Sequence, residues 1–193
     1  MPAGSQVREA ERVRFERLYR DQWLPVYRFV LRRIPEGRST HDAADLAAEV
    51  FSVAWRRICD VPSPPADRLW LYGTAKHVVA RHLRATTRRR RLGERLRHET
   101  DRSVPPEDPD LPHAVRQVIR RLSDADREVI YLVMWEGLTP AQAAVVLGCS
   151  ANAASVRLHR AQGRLRSRLE ALGLLVPGVE PKAADREGSN DRS

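Results

Sequence analysis

The sequence predicts an all-α protein of two small helical units joined by an extended acidic linker, the second a helix-turn-helix (winged-helix-like) DNA-binding domain. Three observations carry this expectation. Apolar residues recur every three or four positions in both halves, with no strand-like alternation. An acidic, proline-broken stretch separates the halves. The segment Gly137 to Arg166 reads as two helices around a tight turn, the second rich in arginine. The expected organisation is a disordered N-terminus over 1–10, a first unit over 11–92, a linker over 93–112, a second unit over 113–175 and a disordered tail over 176–193.

In the first unit Phe15, Leu18, Tyr19, Trp23, Val26, Tyr27, Val30, Leu31 and Ile34 mark one long amphipathic helix, or a bent pair with Pro25 at the bend. Pro35-Glu36-Gly37 ends the pattern, and Thr40 or Asp42 can cap the next helix. That helix turns Leu46, Val50, Val53 and Ala54 toward apolar contacts and sets Asp42, Asp45 and Glu49 along one face. A stripe of this kind is either solvated surface or a docking face. After the rigid Val61–Pro65 loop, a third helix from about Asp67 is aromatic at its start and strongly basic at its end.

The second unit opens with Val115, Val118, Ile119 and Leu122 at helical spacing, and Ser123 caps a helix holding Val129, Ile130, Leu132 and Val133. Thr139 and Gln142 form a capping box around Pro140 at the first helical position, and Gly148 supplies a sharp turn. Ser150 caps a last helix from about Ala151 to Leu172, with Ala154, Leu158, Ala161 and Leu165 as its buried stripe. Asn152, Ser155, Val156, His159 and Arg160 lie off that stripe and Arg157 at its edge. This is the layout of a helix that enters the major groove, or of a plain helical hairpin with a solvated basic face.

A net charge of +9 points to a polyanionic partner. No apolar run is long enough to span a membrane and no signal-peptide core is present, so a cytoplasmic protein is expected. Cys59 and Cys149 lie outside any CxxC pair and the six histidines show no metal-ligand spacing, so no metal and no cofactor are expected. Cys149 is read as a small apolar turn residue and Cys59 as a helix-end packing residue. Asp42, Asp45 and Glu49 are the only carboxylate cluster and lack a convergent partner, so no enzyme and no small-molecule substrate are expected.

These segments, in order, resemble the extracytoplasmic-function (ECF) group of sigma-70-type RNA polymerase sigma factors. DAADLAAEVFSVAWRR resembles the polymerase-binding motif D-A-E-D-L-x-Q-E-x-F-x-x-A-W, and LWLYGTAKHVVARHLRATTRRR resembles the promoter-melting motif that opens W-L-x-x-I-A-x-N. LSDADREVIYLVMWEGLTPAQAAVVLGCSANAASVRLHRAQGRL is similar to the family's final motif, which ends in V-K-S-R-L-H-R-A. The resemblance implies a protein that binds core RNA polymerase through its β′ clamp and β subunits, recognises −35 and −10 promoter DNA, and is restrained by an anti-sigma factor. It assigns Asp42, Asp45, Leu46, Glu49 and Phe51 to polymerase. It assigns Trp70, Tyr72, His77, Arg81, Arg84, Arg88 and Arg89 to −10 DNA, with core packing the competing role for Trp70 and Tyr72. It assigns Pro140, Ala141, Asn152, Ser155, Val156, Arg157, His159 and Arg160 to −35 DNA. In the family the linker threads the polymerase cleft; composition alone allows a plain tether.

The chain departs from the family pattern at several of these positions. His77 stands for an asparagine and Arg81 for an aspartate. Gly73-Thr74 replaces a basic-isoleucine pair, and the G-T-V-K-S-R segment is Asn152-Ala153-Ala154-Ser155-Val156-Arg157. The lost lysine and the added Val156 exchange a charged contact for an apolar one suited to a thymine methyl. A polymerase-independent helix-turn-helix regulator is the alternative, with a two-fold site and no need for the aromatic and basic third helix.

Overall fold

The computed structural model describes residues 3–34, 40–94 and 113–174, and their regular structure is entirely helical. Helix α1 (Ala3–Leu31) begins eight residues earlier than the expected Glu11, which brings most of the expected disordered N-terminus into the helix. The added turns carry no continuous apolar face. They are rich in good helix formers and are reinforced by a Glu9–Arg12 ion pair at 2.8 Å. Pro25 lies inside this one helix rather than between two.

Helices α2 (Thr40–Arg56) and α3 (Ala66–Glu94) pack on α1. Val26, Phe29 and Val30 of α1 meet Ala43, Ala47, Val50 and Ala54 of α2 and Leu71, Ala75 and Val78 of α3, all buried. The α2–α3 loop closes over this core through Ile58 and Val61, and Arg14 donates to both of their carbonyls. Gln22 is buried at the same core, and its amide oxygen accepts from Arg68 Nε at 3.1 Å.

The second unit contains α4 (His113–Arg120), α5 (Asp124–Ile130), α6 (Pro140–Leu147) and α7 (Ala151–Ala171). Its predicted caps are in place. Ser123 Oγ accepts from the Asp126 amide at 3.2 Å, and Thr139 and Gln142 form the reciprocal capping box at 3.2 and 2.9 Å. Gly148 adopts φ 70°, the left-handed turn between α6 and α7, and Ser150 Oγ caps α7 at the Ala153 amide. The core joins Val118, Ile119, Leu122, Val129 and Ile130 to Ala161 and Leu165 of α7, with Leu158 at its margin. Asp126 Oδ1 and Arg164 clip α5 to α7 at 2.7 Å.

After Ile130 the backbone widens into a π-helical turn, Tyr131–Trp135, in which the Glu136 amide reaches the Tyr131 carbonyl. Beyond this turn Leu138, Ala143 and Val146, with Leu132 inside it, leave the second unit's own core. They pack into the core of the first unit, where α6 lies on α3. The two units are therefore in apolar contact.

An alanine Cβ at Gly148 would meet open space, so substitution there exposes the backbone cost alone. Gly148→Ala should lower stability by about 1–2 kcal/mol, and Gly148→Asn by less, as read from urea midpoints.

Candidate nucleic-acid interface

Helix α7 is buried along Ala154, Ala161 and Leu165 and open on its other side. Asn152, Ser155, Val156, His159 and Arg160 are all exposed there, and Arg157 is half-buried at the margin. Val156 is 41% exposed and offers an apolar surface on that face. Ser155 Oγ donates to the Ala151 carbonyl at 3.0 Å, which leaves its oxygen outward as an acceptor. Ala141 is exposed and Pro140 half-buried at the start of α6, the positive end of that helix. Burial would raise the carboxyl of Asp126. Hydrogen bonds from Arg164 and Ser123 outweigh it, and the net displacement is downward. The ionised carboxylate anchors α7, so its face is held in one orientation.

On α3, His77, Arg81, Arg84 and Arg88 are exposed along a basic side, while the side chain of Arg89 lies outside the described residues. Trp70 is half-buried against the core, with the Arg57 guanidinium 5.8 Å from its ring centroid. Tyr72 takes the core-packing role, one of the two the sequence left open for it. It is 2% exposed and its ring is stacked on Phe29 at 4.5 Å. Burial, with the Glu136 carboxylate next, pushes its phenol up to about 12.

On α2, Asp45 is exposed, Asp42 and Glu49 are half-buried, and Glu49 is ion-paired with Arg81 of α3. Leu46 and Phe51, which the resemblance assigns to polymerase, turn inward in this structure. They are buried, with Phe51 held among Tyr19 at 4.9 Å, Trp23 at 5.7 Å and Phe15 at 6.4 Å, so they support α2 from below. The reason is helical phase: positions 43, 46, 47, 50, 51 and 54 all face inward, whereas 45, 48, 52 and 55 face out. The outward row ends in Trp55, 46% exposed, whose ring meets Phe15 of α1 edge-on at 5.1 Å. Tyr19 of α1 is exposed as well. Sequence periodicity placed Tyr19 in the core and gave Trp55 no role.

Cys59 is exposed and donates to Glu11 at 3.4 Å, so it is not a packing residue. Among the described residues no cluster of His, Cys, Asp or Glu could hold a metal ion, and no helix is long and apolar enough to cross a membrane. The expected linker beyond Glu94 and the expected tail beyond Leu174 lie outside the described residues.

Comparison with known proteins matches residues 18–89 to sigma-70 region 2 and residues 113–165 to sigma-70 region 4. The ECF RNA polymerase sigma factor SigL of Mycobacterium tuberculosis is 30% identical over 179 residues, covering 86% of this chain and 94% of SigL. The ECF sigma factor BldN of Streptomyces coelicolor is 34% identical over 155 residues. That alignment covers 76% of this chain, which spans 57% of BldN. Among solved structures, the sigma factor RpoE of Bartonella quintana, in complex with the anti-sigma factor NepR, superposes with a TM-score of 0.64. It is 20% identical, and the match covers 81% of this chain and 96% of that one.

The raised Tyr72 phenol gives a pH dependence whose sign is fixed. Its proton is bound more tightly in the folded chain, so the stabilisation is complete below pH 10 and is lost as pH rises toward about 12. Ultraviolet titration should show a late phenolate step near pH 12 that disappears in Tyr72→Phe.

Proposed function

Because this chain belongs to the ECF sigma factors of the sigma-70 family, we propose that it binds core RNA polymerase and directs it to promoters with −35 and −10 elements. The observation that carries the reading is the open face of α7, where readers and anchors are separated. Ser155, Val156 and His159 project from the middle of the exposed face and suit base edges and a thymine methyl. Asn152 contributes at the helix start. Arg157 and Arg160, with the α6 start at Pro140 and Ala141, suit phosphate and set register.

In the first unit His77, Arg81, Arg84, Arg88 and Arg89 are assigned to the −10 region, with Trp70 beside them as the accessible aromatic edge. An aromatic next to guanidinium groups takes up an unstacked base with about 1–3 kcal/mol per base. Asp42, Asp45 and Glu49 are assigned to polymerase. The outward row from Asp45 to Trp55 extends that face with apolar area, which supplies affinity while the carboxylates guide encounter. The protein does no covalent chemistry of its own in this reading and acts in the cytoplasm. The NepR complex of the RpoE relative supports an anti-sigma factor as a further partner.

Run-off transcription on genomic fragments, with cognate core polymerase alone and with this protein added, tests the reading directly. Discrete transcripts that require the protein are expected. Their absence, without co-elution with core, would leave a polymerase-independent regulator. Asp45→Lys should abolish core binding at unchanged helix content. Arg160→Ala should weaken −35 binding at every sequence and reduce the salt slope by about one, whereas Val156→Ser should change the preferred base.

A further inference from the structure

Charged side chains from the two units converge where α1 ends. Arg32 reaches Glu136 at 2.8 Å, and Arg33 reaches Glu136 at 3.0 Å and Glu128 at 3.0 Å. The Glu136 side chain is 2% exposed and that of Arg33 5%, so the pairs are shielded from solvent. The Arg33 guanidinium also lies 3.4 Å from the Phe29 ring centroid. At the other end of the contact, Lys76 of α3 donates to the Leu147 carbonyl of α6 at 3.3 Å. This arrangement turns the Tyr72–Lys76 side of α3 inward while the face of α7 stays open.

Such a body cannot serve both promoter elements. Elements named −35 and −10 are about 25 base pairs apart, roughly 85 Å of duplex at about 3.4 Å per base pair. A compact chain of about 150 residues has a radius of gyration near 15 Å and is roughly 40 Å across. Residues 95–112 reach at most about 60 Å, enough to let separated units cover the interval. The closed arrangement must therefore open on a promoter.

We propose that Arg32, Arg33 and Glu136 form an intramolecular latch that holds the free protein closed, covers the Tyr72–Lys76 side of α3, and is released when the protein engages polymerase. The proposal rests on the sigma-factor reading above. Two unpaired buried donors, Arg32 Nε and Arg33 Nη2, suit a contact made to open, because each regains hydrogen bonds in water. Closure lowers apparent affinity for polymerase by the fraction of open molecules and leaves −35 duplex binding untouched.

The test compares the full-length protein with Glu136→Gln, Arg32→Gln and the double variant, with helix content checked by circular dichroism. Small-angle scattering should show a larger radius of gyration for each single variant, the larger increase for Glu136→Gln, which loses its pairs to both Arg32 and Arg33, and no further increase in the double over Glu136→Gln. Core polymerase should bind the variants several-fold more tightly, up to about tenfold if nine-tenths of the wild type is closed. Affinity for −35 duplex should not change. An unchanged radius in folded variants, an already extended wild type, or loss of folding in both single variants would overturn the latch. A radius that grows while core binds neither form would keep the latch and reject the sigma-factor reading. Equal core binding with equal radii would do the reverse.

Discussion

The Glu136 carboxylate is the point on which the relation between the two halves of this protein turns. A charge that is 2% exposed is tolerated only when it is fully engaged, and Glu136 is met by Arg32 and Arg33. Both of those partners belong to the first unit. The π-helical turn before it is what brings this about, since one extra residue in the turn changes the phase of everything that follows. Leu138 and α6 are thereby directed at α3, while α7 keeps its contacts with α4 and α5. Local backbone irregularity, one carboxylate and the seating of one unit on the other are thus a single construction.

The parts of this molecule that were legible in its sequence are those governed by local rules. The capping box at Thr139 and Gln142, the Ser123 and Ser150 caps and the left-handed Gly148 are each settled by residues within one turn of each other. The exposed set on α7 follows from the period of its buried stripe. The closing contact was not legible, because Arg33 and Glu128 are separated by 95 positions. The same gap left Tyr72 open between core packing and base stacking. Periodicity identifies a face as apolar but does not say which neighbour will cover it.

Leu46 and Phe51 show a related limit. A motif records which residues a function needs, and some are needed because they hold others in place. Phe51 sits beneath Tyr19 and Trp23, so the outer face of α2 depends on it without presenting it. Asp45 and Trp55 make up the surface that Phe51 supports. The Glu49–Arg81 pair adds a connection between faces assigned to different partners. It is a surface pair, with the Arg81 side chain 62% exposed, and so adds little to stability.

Charge also explains why closure takes this form. Both units are assigned to polyanions and the chain carries a net charge of +9, so bringing the basic parts together is opposed by their own field. An apolar contact through Leu132, Leu138, Ala143 and Val146 could overcome that field in many orientations, because hydrophobic burial is not directional. Glu128 and Glu136 supply the opposite sign at one place, which selects one orientation. A buried ion pair adds little net stability compared with apolar residues of the same volume, so orientation is gained without making the contact permanent. Nucleic acid acts on the opposing term. As phosphate neutralises the arginines of α3 and α7, the repulsion between the units fades, and what then separates them is geometry: two sites too far apart for one closed body.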